Sequence, residues 1–284
     1  MSYNRIILEK KLKEYLEEDC QFQDVSSSFI PEDAESSAKI KAKSNGYISG
    51  LEELEILFEL LEITIDIKKK DGDEIKKGDI IAELKGNARK ILIGERVGLN
   101  LLTHMSAITT TTRKFVNIIE ETGKKVRIAA TRKTIPGLRI FEKRAVDLGG
   151  GDTHRFSLDD MILLKDTHLR YYKGDVADLL RDVKKKASFS KKIEIEIENA
   201  EDAVVAAQNG ADIIMLDNMS PIDVEEAINS LKNNNLRDNV IVEVSGSIKS
   251  DNLVDYLQSE PDLISTSELT LFPFEHLDIS LRFD

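Results

Sequence analysis

Apolar and polar positions along the chain follow two rhythms, with the change falling near residue 123. In the first stretch, residues 5–19 place Ile6, Leu8, Leu12, Tyr15 and Leu16 at helical spacing, which predicts an amphipathic helix with one buried face. After a polar loop, AKIKAKSNGYISG (38–50) reads as a strand with a turn at Asn45-Gly46. Residues 51–62 (LEELEILFELLE) predict a second amphipathic helix. The run ITIDIKKKDGDEIKKGDIIAELKG (63–86) then alternates around the turn formers Asp71-Gly72 and Lys77-Gly78-Asp79. It reads as a structural hairpin module rather than a carrier domain, because no tight turn presents a convincing lysine for modification. A longer helix over about 93–121 closes the stretch, with Gly123 as its C-cap.

Beyond Gly123 the pattern becomes one of short apolar runs, at 126–131, 160–165, 192–197, 212–217, 240–245 and 262–266. Helical stretches such as 200–209 and 222–232 separate several of them. Strands that alternate with helices imply parallel pairing through crossovers, in either a doubly wound sheet or a barrel. Neither a G-x-G-x-x-G fingerprint nor a Walker-type lysine motif opens the series. The residues that close each run are polar: Thr131-Arg132-Lys133, Lys165-Asp166, the Glu194/Glu196/Glu198 series, Asp217-Asn218, Ser245-Gly246-Ser247 and Thr266-Ser267. Functional groups at the C-terminal ends of successive parallel strands converge on one mouth in a barrel, and this favours the barrel.

Composition narrows the classes. A chain of 284 residues holds one large α/β domain or two ordinary ones. Its net charge of −12 argues against general nucleic-acid binding, while leaving room for a local cationic pocket. The single cysteine, Cys20, excludes a disulfide framework and a cysteine-based zinc site, and points to a reducing cytoplasm. Cys20 is expected to be a small buried residue near a helix end. The first twenty residues are too charged for a signal peptide, and no apolar run approaches membrane-spanning length.

Against that acidic background, residues 130–155 (ATRKTIPGLRIFEKRAVDLGGGDTHR) carry six Arg and Lys and only three acids. Two subsites follow from the chemistry of the strand ends. Arg132, Lys133, Arg155 and Lys165, with His154, form a cationic set, whose guanidinium forks match carboxylate and phosphate. Glu196 and Asp217 are hard oxygen donors suited to Mg²⁺ held together with substrate phosphate and water. Ser245-Gly246-Ser247 offers hydroxyls and backbone N–H groups as a cradle for a phosphate monoester. Plainer readings stand beside these. IEIEIE can be a strand with one solvated acidic face, Asp217 can cap the next helix, and His154 can be structural. Lys143 and Arg144 are expected on an exposed helical face.

The motifs TRKTIPGLRIFEKRAV (131–146), GGGDTHR (149–155) and LLKDTHL (163–169) resemble the quinolinate phosphoribosyltransferase family. The resemblance continues through ERVGLNLLTHMSAITT (95–110), IEIEIENAEDAV (193–204), GADIIMLDNMSP (210–221), VEVSGSI (242–248) and LDISL (277–281), over essentially the whole chain. It implies an α/β protein with an N-terminal α/β sandwich domain, 1–104, and a C-terminal open (β/α) barrel of fewer than eight strands, 105–270. The tail from about 270 to 284 is expected to pack back on the first domain. It also implies transfer of the phosphoribosyl group of phosphoribosyl pyrophosphate (PRPP) to quinolinate with decarboxylation, giving nicotinate mononucleotide, pyrophosphate and CO₂. The cofactor implied is Mg²⁺, and the assembly a homodimer or higher homo-oligomer, with Arg96 reaching into the partner's site. Arg132, His154, Arg155 and Lys165 are then expected on the quinolinate carboxylates, and Lys133 on the pyrophosphate. Thr131, Ser245, Gly246 and Ser267 complete the substrate contacts, the glycine and serine pair lying by the 5′-phosphate. Glu196 lies 217 − 196 = 21 positions before Asp217, as the family's metal-side Glu does, and both are expected at the ribose and metal.

Two departures from the family pattern stand out. Ser247 replaces the second glycine of a common S-G-G, while Ser267 and Leu271 replace a glycine and a histidine further on. Three other functions compete. A related phosphoribosyltransferase acting on nicotinate or another aromatic acid without decarboxylation would not need so dense a cationic cluster. A barrel aldolase would use Lys165 as a Schiff base, which calls for a desolvated lysine. A non-catalytic sensor would bind PRPP without product.

Overall fold

In the computed structural model, which describes residues 3–284, helix α1 (Arg5–Asp19) begins where Asn4 Oδ1 accepts the Ile6 N–H at 3.0 Å. Leu8 and Leu12 are buried and Tyr15 and Leu16 half-buried, but Ile6 points to solvent at 75% exposure. The expected apolar face therefore loses its first member. Cys20 is the C-cap of this helix and is half-buried, not buried as expected.

Two compact units make up the chain: residues 1–113, 140–150 and 273–284 form one, and 114–139 with 151–272 the other. In the first, β1 (Glu35–Ala42), β2 (Gly46–Tyr47), α2 (Leu51–Leu60), β3 (Thr64–Ile67), β4 (Glu74–Ile75) and β5 (Ile80–Asn87) precede the long α3 (Ala88–Thr122). Strands β1, β3 and β5 join the C-terminal strand (Ile279–Phe283) in a four-stranded antiparallel sheet, and the last strand lies on β1 with Ile40 opposite Leu281. Ile40, Ile81, Leu84 and Leu281 from the sheet meet Leu54 and Phe58 of α2 and Ile91 and Leu102 of α3 in one core. Burial of this kind is worth about 25 cal/mol per Å² of apolar surface.

Helix α4 (Arg139–Leu148) contradicts the expectation of exposed charges. Its Lys143 is wholly buried and Arg144 is 6% exposed. Arg144 reaches Glu53 at 3.0 Å, Asp71 at 3.1 Å and Glu52, and lies over the Tyr3 ring. Glu142 on the same helix, also fully buried, contacts His104 at 2.9 Å. Sequence periodicity sees charge at these positions and predicts solvent, whereas residues 140–150 belong to the first unit and find countercharges there. The cuts at 113/114 and 272/273, and this excursion, differ from the limits at 104/105 and about 270 that the family resemblance implied.

The second unit holds β6 (Arg127–Ala130), β7 (Ile162–Leu164), α5 (Asp166–Tyr171), α6 (Val176–Lys186), β8 (Ile193–Ile197), α7 (Ala200–Gln208), β9 (Ile213–Asp217), α8 (Pro221–Asn233), β10 (Ile241–Ser245), α9 (Leu253–Leu257) and β11 (Leu263–Thr266). The C-terminal strand of the first unit is then β12. All pairings in the six-stranded sheet are parallel, in the order β6-β11-β10-β9-β8-β7, so the sheet is an open barrel with β6 and β7 at its edges. Asp152 exchanges backbone hydrogen bonds with β6, accepting from Ala130 at 2.9 Å and donating to Ile128 at 2.8 Å. The chain that carries His154 is thereby held along the open edge. Asp212 and Asp262 accept N–H groups at the starts of neighbouring strands, from Ile193 and Val242, each at 2.7 Å.

Strand alternation sorts the barrel side chains by chemistry. Ile195, Ile197, Ile214, Leu216, Val242, Val244 and Ile264 form its buried apolar positions. The alternate positions Glu194, Glu196, Met215, Asp217, Glu243, Ser245 and Ser265 carry mostly polar groups, and all but Glu194 line a cavity.

Candidate active site

Parallel register sets these polar positions in layers. Glu196 on β8 and Glu243 on β10 both pair with Met215 on β9, so the two carboxylates are level across it. One pleat further on, Asp217 pairs with Ser245, and Ser245 with Ser265. The strand ends open on a cavity of about 640 Å³. Thr131, Arg132, Lys133, His154, Arg155, Lys165, Glu196, Asp217, Ser245 and Gly246 all line it, so ten of the residues expected at the site come together here. Ser267 lines an adjoining cavity of about 260 Å³, which shares Thr131, Lys133, Ser245 and Gly246 with the first. Arg96 is exposed on α3 in the first unit and lines neither cavity.

Two guanidiniums of the cationic wall stand without a countercharge. Arg155 is 7% exposed and Arg132 half-buried. Among the described residues neither has a carboxylate within ion-pair distance, and the Arg132 Nε is a buried donor with no acceptor. Burial and the neighbouring Arg132 charge hold Arg155 below its ordinary pKa. A buried guanidinium without an anion is costly, and a ligand carboxylate would remove that cost. His154 stands in the left-handed region at φ +52, with its backbone N–H on Asp152 Oδ1 at 2.7 Å. Its Nε2 lies 2.8 Å from Glu243 Oε2 and 3.6 Å from Glu194 Oε2.

The turn that leads here needs two of its glycines. A Cβ on Gly149 would meet the Thr109 carbonyl at 2.9 Å, and Gly150 has φ +88. Both permit the chain to leave α4 tightly enough to run on toward His154 and Arg155.

On the acidic side, Glu196 Oε1 accepts from Lys165 Nζ at 2.5 Å. The Lys165 backbone N–H donates to His168 Nδ1 at 2.9 Å, which fixes the start of α5. Asp217 is raised above the ordinary carboxylate range by burial and by the nearby Glu196 charge. Two carboxylates that repel one another beside open space suit a hard divalent cation. The solvated-face reading of IEIEIE fails, since Glu194 is fully buried, Glu196 half-buried and only Glu198 exposed. The helix-cap reading of Asp217 fails too. Ser220 caps α8 in a capping box with Asp223, and Pro221 follows at the first helical position.

The far end of the site depends on backbone geometry. Gly246 has φ +101, and a Cβ there would stand 2.3 Å from Asn218 Oδ1 and 2.6 Å from the Asn218 nitrogen. Asn218 in turn donates to Ser245 O at 2.9 Å and to Asp217 Oδ2 at 2.8 Å. Ser247, one of the departures, takes φ +52, a conformation that glycine adopts without strain. Thr270 Oγ1 donates to the Lys133 carbonyl at 2.8 Å, tying that lysine's backbone to the turn after β11.

Sequence reasoning missed the floor beneath His154. Glu243 and Ser265 were not singled out, although each lies two residues from a strand-end polar group and so shares its face. An acid within the apolar run VIVEVS was the available signal.

A six-stranded open parallel barrel with a carboxylate-seeking cationic wall, an acidic pair and a glycine-bearing loop at its strand ends defines a class of barrel proteins that bind polyanionic small molecules. Family models described as quinolinate phosphoribosyl transferase, N-terminal and C-terminal domains, match residues 20–106 and 108–282. The chain belongs to the quinolinate phosphoribosyl transferase family. It is 46% identical over 245 residues to a probable nicotinate-nucleotide pyrophosphorylase [carboxylating] of Archaeoglobus fulgidus, covering 86% of this chain and 93% of that protein. The crystal structure of NadC from Streptococcus pyogenes superposes with a TM-score of 0.91 at 34% identity, over 100% of this chain and 99% of that one. The nicotinate-nucleotide pyrophosphorylase structure from Francisella tularensis gives 0.90 at 32% identity, over 100% and 98%. No helix among the described residues is long and apolar enough to cross a membrane.

Proposed function

We propose that this protein transfers the phosphoribosyl group of PRPP to quinolinate and decarboxylates the adduct, as a decarboxylating pentosyltransferase of NAD biosynthesis. The observation that carries the reading is the pair of guanidiniums, Arg132 and Arg155, beside His154, with no carboxylate of the described residues within ion-pair distance of either arginine. A pyridine dicarboxylate supplies two anions where a monocarboxylate supplies one.

Roles follow from position. Arg132, Arg155, His154 and Lys165 hold the two carboxylates and set the ring nitrogen toward C1′ of the ribose. Lys133, with Thr131 beside it, faces the pyrophosphate. Ser245, Gly246 and Ser267 take the 5′-phosphate in the smaller cavity. Glu196 and Asp217 would hold Mg²⁺, which when bound neutralises pyrophosphate charge. The same carboxylates face the ribose as positive character grows at C1′. The C1′–pyrophosphate bond breaks, the ring nitrogen lone pair forms the new bond, and a pyridinium results. The carboxylate next to that nitrogen then leaves as CO₂, and its electron pair remains on the ring carbon, which takes a proton. No side-chain nucleophile is needed, and positioning contributes much of the rate. Lys165 is engaged by Glu196 rather than desolvated alone, which disfavours the aldolase alternative.

The reading extends to a homodimer in which the exposed Arg96 completes the partner's quinolinate site, and to a reducing cytoplasm, which suits a chain with one cysteine. The test is a purified-enzyme assay with quinolinate, PRPP and Mg²⁺ that follows CO₂ and nicotinate mononucleotide together. Equal release of both supports the assignment. Turnover with nicotinate and none with quinolinate would sink it, and PRPP binding without product would identify a sensor.

A further inference from the structure

The reaction assigned to the site gives no role to the acidic floor of the barrel, where Glu194 and Glu243 are both fully buried. Glu243 receives two contacts: His154 Nε2 at 2.8 Å on one oxygen and the Ser265 hydroxyl at 2.5 Å on the other. Glu194 stands behind at 3.6 Å from the same ring nitrogen, with no hydrogen-bond partner among the described residues. The imidazole is thus anchored through Nε2, and Nδ1 is the ring atom left for the cavity that His154 lines.

A neutral imidazole has one N–H. If that proton sits on Nε2 to satisfy Glu243, Nδ1 presents a lone pair, which repels a carboxylate. Only the doubly protonated ring donates at both ends. From this geometry we infer that Glu243 is a positioning residue, which with Ser265 and Glu194 keeps His154 a doubly protonated imidazolium whose Nδ1–H meets a ligand carboxylate. The inference rests on the quinolinate reading of the site.

The groups around the ring pull in opposite directions. Arg132 after β6, Arg155 next to His154 in sequence and Lys165 after β7 line the same cavity and oppose a further positive charge. Glu194 and Glu196 on β8, Asp217 on β9, Glu243 on β10 and Asp152 in the histidine's own segment favour it. Burial works against the charged ring, but the Glu243 hydrogen bond and the Glu194 carboxylate 3.6 Å away outweigh it and push His154 up to about 10. The imidazolium therefore persists across the physiological range and costs no proton uptake when substrate binds.

Glu243→Gln keeps the shape and removes the charge. The His154 ring is expected to lose about 100-fold in proton affinity, read by ring-nitrogen NMR of the ligand-free enzyme with His154→Gln for assignment. The wild-type KM for quinolinate is expected to stay flat from about pH 6.5 to 8.5. In Glu243→Gln it is expected to rise about tenfold per pH unit above the new ring pKa, with the KM for PRPP unmoved. Glu243→Asp, which keeps the charge, restores the flat profile. A Glu243→Gln enzyme whose His154 stays doubly protonated at pH 9, or whose quinolinate KM stays flat up to that pH, overturns the inference, as does a Glu243→Asp enzyme that behaves like Glu243→Gln. A wild-type enzyme that turns over no quinolinate at any pH overturns the functional reading instead, and the NMR titration still decides whether Glu243 holds the proton.

Discussion

Replacing Gly246 with alanine tests the architecture of the proposed phosphate end through one added carbon. The new Cβ would lie 2.6 Å from the Asn218 backbone nitrogen and 2.3 Å from its Oδ1, where ordinary contact begins at 3.4 Å. Side-chain rotation can relieve the second clash but not the first, so the backbone must give by roughly 0.8 Å, the difference between 3.4 and 2.6 Å. A φ of +101 adds strain for any L-residue, about 1–3 kcal/mol. Asn218 donates to Asp217 Oδ2, so its displacement is passed to the carboxylate proposed for the ribose and Mg²⁺. A shift near 1 Å at a reacting group costs about 100-fold in rate. We expect kcat/KM for PRPP to fall about 100-fold, or about 2.7 kcal/mol in transition-state free energy. Unfolding free energy is expected to drop by about 1–3 kcal/mol. Quinolinate affinity, measured by calorimetry, is expected to change by less than about threefold, because the hydrogen bonds of Asn218 go to Ser245 and Asp217 and not to Arg132 or Arg155. Steady-state kinetics beside urea denaturation reads all three, and a folded Gly246→Ala enzyme with wild-type kcat/KM refutes the reasoning.

Two further predictions concern stability. Arg144→Met leaves Glu53 and Asp71 without their cation in the first unit and is expected to cost about 3–5 kcal/mol. Burial already lifts Glu53 to about 7. A folded-state pKa above the unfolded value favours folding most below about 4.5, and that support is lost as pH rises through 7. The Arg144→Met loss is therefore expected to be smaller at pH 5 than at pH 8 by urea denaturation, and equal losses contradict the account. Ser247→Gly relieves a left-handed serine at φ +52 and is expected to add about 1 kcal/mol to stability; a lower thermal midpoint for this variant contradicts the strain argument.

Much of the barrel was legible from the chain. Each apolar run in the second half became a parallel strand, because β-branched residues bounded by polar ends have few other ways to be buried. The same runs pointed to the mouth, since Thr131-Arg132-Lys133, Lys165, Asp217 and Ser245 all stand at strand termini. Legibility failed where a charge was buried. Lys143 and Arg144 read as solvated, yet they lie in the first unit, with Arg144 paired to Glu52, Glu53 and Asp71 from distant positions. Ile6 read as buried because its spacing fits a helical face, but spacing alone does not say whether anything packs against that turn.

The order of elements, the cationic and acidic composition of the strand ends and the family itself were determined by the sequence alone, because strand period, turn residues and motif spacing are local properties. Tertiary structure decided which polar residues share a layer. Parallel register sets Glu196 level with Glu243 across Met215, and the return of the chain after Gly149-Gly150 brings His154 from the open edge of the barrel onto Glu243, 89 positions away. That contact turns a histidine that spacing could read as structural into a held positive charge, because only the folded chain sets carboxylates against the ring that outweigh the cost of burying it.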